Sequence, residues 1–520
     1  MSNISHINNN TELAPIKGLA LVFMTFAVSC GIFMNVLDSS IANVAIPSIA
    51  GNLAISANQG TWIITSFTVS MAIVLPLTGW LGRRFGEVRL FVFSTFLFTI
   101  ASILCGLSYN LQMMIAARVM QGAVAGPMIP LSQSLLLANY PPEKKGLAMA
   151  LWATIAVAAP VLGPILGGYI TDNYTWPWIF YINVPVGILS VYLTWMILKK
   201  RETPIIRAPI DYIGLALLIL GVGCLQILLD QGQDLDWFNS NIIILLSVIA
   251  AISLSYLLVW ELTEKHPIID LFLFKKRNFT VGTIAISLGY GTYFGGVVIL
   301  PLWLQTEMNY TPTWAGIATA PLGILPVIIS PFLAFFMKKI DLRLLSALGF
   351  AIFAYCSFWV GSFNTDISVG VVALARFIQG LGAPFFFIPT LSILLSQLPN
   401  KDLASAAGLS NFCRILAGSF GTSISVSLWD TRERLHQSNI VQNLTDYNPD
   451  LQSALHYFQN QGFDALASHA KITLLAINQA YMQATNDIFI LSGYLFAAMM
   501  IFIWFARPPF LSNAVGAVGH

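Results

Sequence analysis

A series of long apolar stretches divides the sequence, and this pattern constrains the fold more than any other feature. An α-helix needs roughly 20 apolar residues to cross ~30 Å of hydrocarbon. Fourteen stretches of suitable length lie near 18–40, 60–82, 89–109, 111–138, 146–170, 178–198, 211–230, 241–261, 280–304, 314–337, 342–363, 367–396, 404–427 and 486–506. The sequence therefore predicts an all-α polytopic membrane protein. The first stretch is too long for a cleavable signal peptide and is predicted to be a retained span.

The overall composition agrees with a chain that is solvated by lipid. The 520 residues are 57% hydrophobic and 9% charged, with a mean hydropathy of +0.75. Soluble proteins are about half apolar and about a quarter charged. A net charge of +2 without a basic patch argues against a nucleic-acid binder. The five cysteines lie singly in apolar runs, so neither a disulfide framework nor a CxxC metal site is expected.

The basic residues predict the orientation of the chain, because loops on the cytoplasmic side of a membrane are enriched in Lys and Arg. Nineteen of the 25 basic residues fall on one side of the predicted spans. The remaining six are Arg432, Arg434 and Lys471 on the opposite side and Arg118, Arg376 and Arg414 within spans. Both termini are therefore predicted to be cytoplasmic.

An internal repeat divides the chain into two related halves. The segment 117–122, Ala-Arg-Val-Met-Gln-Gly, recurs at 375–380 as Ala-Arg-Phe-Ile-Gln-Gly. Chance similarity between apolar helices is the alternative, but identical Arg and Gln at helical spacing argue against it. The repeat relates the fourth span to the twelfth, which predicts 6+2+6 transmembrane helices with an unrepeated pair in the middle. The predicted regions are a tail at 1–17, a six-helix half at 18–200, a two-helix insert at 201–262, a second half at 263–506 and a tail at 507–520.

The segment 428–485 interrupts this pattern between the last two spans. It is mostly polar and is predicted to form a periplasmic loop. Within it Leu451, Ala454, Leu455 and Phe458 follow the i, i+3, i+4, i+7 spacing of an amphipathic helix. A loop of this length is usually functional or disordered, so the segment is either a docking element or an unstructured linker.

Asp38 is the clearest of the few ionisable residues that lie within the predicted spans. A charge at the bilayer centre costs ~2.5–3.5 kcal/mol or more, so such residues are candidates for function. Asn35 precedes Asp38 by three residues and shares its helix face, and Pro47 is predicted to break this helix near its outer end. Asp38 either carries protons or is a permanently paired structural acid. The predicted spans contain no histidine, so a proton-driven cycle would use a carboxyl group.

Arg118, in the fourth span, is the natural partner for Asp38, because an unpaired guanidinium there would be costly. Gln121 lies on the same helix face. Asp38, Arg118 and Gln121 are therefore the candidate proton-coupling residues, since water or a cationic substrate that competes for the carboxylate would change its proton affinity.

Aromatic and polar residues in several spans are candidates for a substrate cavity. The candidate substrate cavity comprises Phe33, Asn35, Trp62, Tyr290, Tyr293, Phe294, Arg376 and Gln379. The aromatic members could equally face lipid or the core, and Arg376 could be structural. Three further acids lie at span ends and are predicted to be interfacial: Asp230, Asp430 and Asp487.

These motifs resemble the signatures of major facilitator drug/proton antiporters with fourteen spans, over almost the whole chain. The segment 37–47 resembles the first-helix motif, and 118–122 resembles the fourth-helix motif, whose arginine the family links to proton transfer. The run 163–168 resembles the antiporter motif, which symporters generally lack; its members are Gly163, Pro164, Gly167 and Gly168. Two glycines four residues apart also allow close helix packing. In this family the substrate binds between two parallel halves and access alternates.

The segment 79–86 resembles the family's gating loop, with candidate residues Gly79, Arg83, Arg84 and Gly86. The family's usual Asp is replaced by Arg83, which puts a gating interaction built on that Asp in doubt. Glu87 is a candidate substitute.

The segments 41–53, 139–142 and 178–185, with the long loop, resemble inner-membrane pumps of tripartite systems in Gram-negative bacteria. The resemblance implies export of hydrophobic toxic compounds, driven by the proton gradient without a cofactor. It also implies an EmrA-type periplasmic adaptor and a TolC-type outer-membrane channel. A proton-coupled nutrient symporter is the first alternative, which the run 163–168 opposes. A membrane-embedded enzyme or sensor is more remote.

Overall fold

The part of the chain that the structure describes is nearly all helical. The computed structural model describes residues 16–141, 145–203, 205, 209, 211–232, 235–264, 267–269, 271–337, 339–398, 403–445 and 448–510, and no strand occurs among them. The all-α prediction is confirmed. Most of the two predicted tails lies outside these residues.

Ten α-helices lie among the described residues of the first half. They are α1 (Leu19–Asn52), α2 (Ala57–Gly60), α3 (Trp62–Val74), α4 (Thr78–Phe85), α5 (Glu87–Gly106), α6 (Leu111–Ala125), α7 (Met128–Asn139), α8 (Lys145–Asn173), α9 (Trp178–Tyr181) and α10 (Asn183–Leu198). The insert consists of α11 (Tyr212–Gln231) and α12 (Asn241–Thr263).

In the second half, the structure describes eight α-helices. They are α13 (Arg277–Thr306), α14 (Pro312–Thr319), α15 (Ile324–Phe336), α16 (Leu342–Val360), α17 (Val369–Leu395), α18 (Leu403–Asn443), α19 (Pro449–Asn460) and α20 (Ala465–Phe502). Short 3-10 turns occupy Leu75–Leu77, Trp237–Asn239, Leu271–Lys275, Ala320–Gly323 and Ile503–Phe505.

Each of the fourteen predicted apolar stretches overlaps at least one of these helices. Among the described residues, 12 helical segments are long and apolar enough to cross a membrane. Helices α8 and α18 cover the two other stretches. The fourteen-span topology stays a prediction.

Prolines lie in the 3-10 turns that interrupt two of the spans. The turn Leu75–Leu77, which contains Pro76, joins α3 to α4, and the turn Ala320–Gly323, which contains Pro321, joins α14 to α15. Proline removes a backbone donor and its ring clashes with the preceding turn. Pro47 behaves differently, because α1 continues through it to Asn52. The predicted break there is wrong: α1 packs closely against other helices, so the helix tolerates one missing hydrogen bond.

The segment 428–485 is largely helical rather than a loop. Helix α18 continues to Asn443 and α20 begins at Ala465, so both extend well beyond the apolar stretches. Between them lies α19, in which Leu451 and Leu455 are buried against Ile472 of α20. The predicted amphipathic helix is therefore confirmed. We call the side of the molecule that carries α19 the outer side and the opposite side the inner side.

Candidate functional site

A buried ion pair joins the first and fourth spans of the first half. Nη1 of Arg118, on α6, donates a hydrogen bond to Oδ2 of Asp38, on α1. Both side chains are 0% exposed. The pairing expected from the sequence is present, because each of the two buried charges compensates the other.

Three neutral side chains complete the surroundings of this pair. The amide nitrogens of Gln121 and Asn183 donate to Oδ1 of Asp38, at 3.1 and 3.0 Å. Gln121 also accepts from Nη1 of Arg118 at 2.6 Å, and it donates to the hydroxyl of Ser102 at 2.8 Å. Both oxygens of Asp38 therefore accept hydrogen bonds, an arrangement that suits the ionised carboxylate.

Asn183 and Ser102 were not among the residues selected from the sequence. Asn183 begins α10 and Ser102 lies in α5, and both are buried. The signal that could have found them is the same as for Asp38, namely a polar side chain inside a predicted span. Serine is too common in such stretches to be diagnostic, but an asparagine is not.

The Arg118 guanidinium is held from several directions. Its Nε donates to the carbonyl oxygen of Ile63, on α3, at 2.8 Å. Its carbon Cζ lies 4.3 Å from the centroid of the Phe67 ring and 5.6 Å from that of Phe180. Within the described part of the chain, Nη2 has no hydrogen-bond partner. The guanidinium is thus fixed in place, and the two N–H donors of Nη2 are available for a further acceptor.

Asn35 shares a helix face with Asp38 but has a different contact. Its Nδ2 donates to the carbonyl oxygen of Ala125 at 2.9 Å. Ala125 is the last residue of α6, at the break before α7, so this bond compensates a carbonyl that the helix leaves unpaired. The contact holds α1 against the break between α6 and α7.

The second half repeats part of this site without the acid. Nη1 of Arg376, on α17, donates to Gln379 at 2.5 Å, and Nη2 donates to the carbonyl oxygen of Gly296 at 2.7 Å. No carboxylate among the described residues forms an ion pair with Arg376. The internal repeat therefore preserves the Arg–Gln contact and leaves the carboxylate to the first half.

The aromatic candidates separate into two regions. Tyr290 and Phe294 of α13 stack with ring centroids 4.4 Å apart, and Tyr293 lies 5.5 Å from Phe353 of α16. The Arg414 guanidinium lies 4.6 Å from the Tyr290 ring. The other two candidates, Phe33 of α1 and Trp62 of α3, are half-buried in the first half.

The glycine-rich run of α8 packs directly against α1. A Cβ atom at Gly167 would lie 2.8 Å from the carbonyl oxygen of Ile41, and one at Gly163 would overlap Ser40. Real Cβ atoms do not approach other atoms this closely. Both glycines are therefore required by the contact between the first and fifth spans.

The same run meets the second half of the molecule. A Cβ atom at Gly168 would lie 2.5 Å from the carbonyl oxygen of Pro312, at the start of α14. Nearby, the backbone N–H of Thr313 donates to Oδ2 of Asp172 at 2.9 Å. These contacts close the two halves against each other on the outer side.

The predicted gating loop is largely helical, since Arg83 and Arg84 lie in the last turn of α4. This helix ends before Gly86, whose φ of +88° lies in the left-handed region. Glu87 accepts from the Ser134 hydroxyl at 2.6 Å, so its carboxylate contacts the first half itself.

The carboxylate of Glu202, in the segment after α10, accepts from the backbone N–H groups of Val88 and Arg89, both at 2.9 Å. Glu202 thus caps α5, a role that sequence reasoning missed because the two segments are distant in the chain.

Two of the acids that were predicted to be interfacial differ in their exposure to solvent. Asp487 is half-buried and contacts His436 at 2.8 Å, as suits an interfacial position. Asp230 is only 7% exposed and accepts from Thr65 at 2.9 Å and from Gln226 at 3.0 Å. The prediction that Asp230 is interfacial is wrong, because α3 and α18 pack over the end of α11.

Known proteins similar to this chain fall into one family. The Major Facilitator Superfamily model matches residues 28–422. The chain is 50% identical to the multidrug export protein EmrB of Escherichia coli K12 over 507 residues, which cover 97% of this chain and 99% of EmrB. It is 48% identical to the fatty acid resistance protein FarB of Neisseria gonorrhoeae over 505 residues, which cover 97% of this chain and 100% of FarB.

Solved structures show the same fold at low sequence identity. A peptide transporter POT in complex with sulfate is similar with a TM-score of 0.64 and 15% identity, covering 95% of this chain and 98% of that one. A bacterial homologue of the human lysosomal transporter Spinster gives a TM-score of 0.61 at 13% identity, covering 95% of this chain and 100% of that one. The chain belongs to the Major Facilitator Superfamily and is a multi-span membrane transporter, not an enzyme.

Proposed function

We propose that this inner-membrane transporter is a proton-coupled multidrug efflux antiporter. The buried Asp38–Arg118 pair is the single observation that carries the proposal. A carboxyl group in such a place can exist in two protonation states whose contacts differ, as a proton-driven cycle needs. The similarity to EmrB and FarB, whose names describe export of drugs and resistance to fatty acids, supports hydrophobic toxic compounds as the cargo.

The coupling step follows from the contacts of Asp38. In the arrangement described, Arg118, Gln121 and Asn183 all donate to the carboxylate. A proton on Asp38 removes the negative charge that compensates the guanidinium, so Arg118 must then find another acceptor or more water. Protonation therefore favours a different packing of α1 against α6.

This change can reach the contact between the two halves through α8. Helix α1 packs against the glycines of α8, and the next glycine, Gly168, packs against α14 of the second half. A shift of α1 would therefore change the contact between α8 and α14 that closes the outer side. We propose that proton binding at Asp38 and opening of the outer side are linked along this path.

We also propose the partners of a tripartite pump. An EmrA-type periplasmic adaptor and a TolC-type outer-membrane channel would carry the cargo across the rest of the cell envelope. The helical extension formed by the outer ends of α18 and α20, with α19, is the proposed docking surface for the adaptor. Its exposed apolar side chains, among them Tyr457 at 60% and Leu474 at 53% exposure, support this role.

Transport in proteoliposomes tests the antiport. Addition of a drug gradient to the wild-type protein should drive protons in the opposite direction, read from a pH-sensitive dye. The variant Asp38→Asn resembles the protonated acid and should abolish this movement. The exposed Asp366 provides a matched control, since Asp366→Asn removes a carboxylate on an outer loop and should leave transport unchanged.

The direction of proton movement separates the alternatives. A nutrient symporter would move protons in the same direction as its substrate. Undiminished drug-driven proton movement in Asp38→Asn, with a folded protein, would exclude Asp38 as the coupling acid.

A further inference from the structure

Asp230 is a second buried acid, and neutral groups alone support it. It lies in the last turn of α11, within the insert that neither half repeats, and is 7% exposed. Thr65 donates to its Oδ2 at 2.9 Å, and Gln226 donates to its Oδ1 at 3.0 Å. Among the described residues, no Lys, Arg or His forms an ion pair with Asp230.

The hydrogen bonds of Asp230 extend to both halves of the transporter. Thr65 belongs to α3 in the first half. Gln226, one turn before Asp230, donates to the Ser423 hydroxyl of α18 at 2.5 Å and accepts from that of Ser419 at 3.2 Å. The insert therefore joins α3 to α18 through one carboxyl group and one amide.

Helix α3 also connects Asp230 to the Asp38–Arg118 site. The carbonyl oxygen of Ile63 accepts from Arg118, while the hydroxyl of Thr65 donates to Asp230. Residues two apart on a helix point about 200° apart, so these two contacts lie on nearly opposite faces of α3. The first turn of α3 is thus held between two buried carboxyl groups.

The groups around Asp230 influence its charge in opposite directions. Burial without a cation disfavours the charged form, and two hydrogen-bond donors favour it. The packed part of α3, Trp62–Val74, has no titratable side chain. On α18, Asp430 follows Ser423 by two helical turns, while Asp236 of the outer loop is exposed. A proton on either oxygen would replace an acceptor by a donor and would weaken the bond from Thr65 or from Gln226.

We infer that Asp230 is a second proton-binding carboxyl group of the transport cycle, which the two-helix insert places at the junction of the two halves. The inference rests on the proposed proton-coupled transport. Under this inference the two-helix insert takes part in proton binding, because Asp230 lies at the outer end of α11, on the side from which protons would enter. Protonation of Asp230 would change the hydrogen bonds that connect the insert to α3 and to α18.

Infrared titration of the purified full-length protein tests proton binding without any transport. The C=O stretching band of protonated carboxyl groups is followed while the pH of the buffer is varied. Compared with wild type, Asp230→Asn should lose one titrating component, and Gln226→Leu, which keeps the acid, should retain that component with a shifted midpoint. Identical titrations of wild type and Asp230→Asn would overturn the inference.

Drug-driven proton movement in proteoliposomes tests the place of Asp230 in the cycle. Asp230→Asn should lose most of this movement and its dependence on outer pH, while Asp236→Asn, an exposed carboxylate of the same outer region, should behave like wild type. Wild-type activity in Asp230→Asn would overturn the role in transport. If the wild type itself moves no protons, the proposed function fails, and the infrared titration still decides whether Asp230 binds a proton.

Discussion

Arg118 and Arg376 occupy equivalent positions in the two halves, and each donates to the glutamine three residues further on, yet only Arg118 meets a carboxylate. Arg376 is instead held by a backbone carbonyl oxygen, that of Gly296. A backbone carbonyl cannot change its charge, whereas a carboxyl group can. Of the two repeated arginines, Arg118 therefore contacts a group whose charge can change, and Arg376 contacts a group whose charge is fixed.

The first prediction concerns the charge at position 118. Arg118→Lys keeps the cation but loses the planar group that contacts both Asp38 and Gln121, and Arg118→Ala leaves Asp38 without its compensating charge. We expect the lysine variant to retain part of the drug-driven proton movement with a shifted pH optimum. The alanine variant should lose transport.

The matched variant in the second half is Arg376→Lys. We expect it to lower the yield of folded protein while the number of protons moved per drug stays that of wild type. Equal transport by Arg118→Lys and Arg118→Ala would contradict an electrostatic role for Arg118.

The second prediction concerns two neighbouring glycines of α8 that pack against different helices. Gly167 packs within the first half against Ile41, whereas Gly168 packs across the halves against Pro312. Overpacking of a close contact costs about 1–3 kcal/mol. Gly167→Ala should therefore lower the thermal stability of the detergent-purified protein. Gly168→Ala should instead weaken the outer closure and reduce drug export by cells that lack their own pumps.

A cysteine introduced by Thr313→Cys reports on that closure, because Thr313 lies at the same contact. A membrane-impermeant thiol reagent should label it faster in Gly168→Ala than in the wild-type background. Gly223 of α11 has open space beside it, so Gly223→Ala serves as the control. Unchanged labelling in Gly168→Ala would show that this contact does not hold the outer side closed.

Sequence patterns predicted the helices and the central pair but not the contacts at span ends. Asp38 and Arg118 could be matched because an unpaired charge in either span is too costly. Asp230 was placed at the interface because the end of an apolar stretch usually reaches water. Only the packing of α3 and α18 over that end buries it, and packing between distant segments leaves no periodic signal in the sequence.

The third prediction concerns the cap of α5. Glu202 accepts from two backbone N–H groups at the start of this helix, where a negative charge is also favourable. Glu202→Gln keeps one acceptor oxygen and loses the charge, and a lost cap costs about 0.5–2 kcal/mol. We expect a lower Tm with an unchanged ratio of protons to drug, and Asp366→Asn should leave Tm unchanged. A changed ratio at wild-type Tm would place Glu202 in the transport cycle.

The last prediction concerns α19 and the proposed adaptor. In the described part of the chain, the buried side chains of α19, Leu451 and Leu455, pack against Ile472 in the outer extension of α20. Removal of α19 should therefore leave the contacts between the membrane-spanning helices intact. A flexible Gly/Ser linker of n residues spans ~5–6 Å × √n, which allows residues 449–460 to be replaced without strain. We expect this variant to export drug across a single bilayer in proteoliposomes at the wild-type rate. It should fail to capture an EmrA-type adaptor in pull-down experiments and should lose resistance in whole cells.

Tyr457→Ser, which keeps α19 folded and removes an exposed aromatic ring, should weaken adaptor capture alone. Capture of the adaptor by the protein without α19 would place the docking surface elsewhere, and failure in proteoliposomes would make α19 part of the transport cycle.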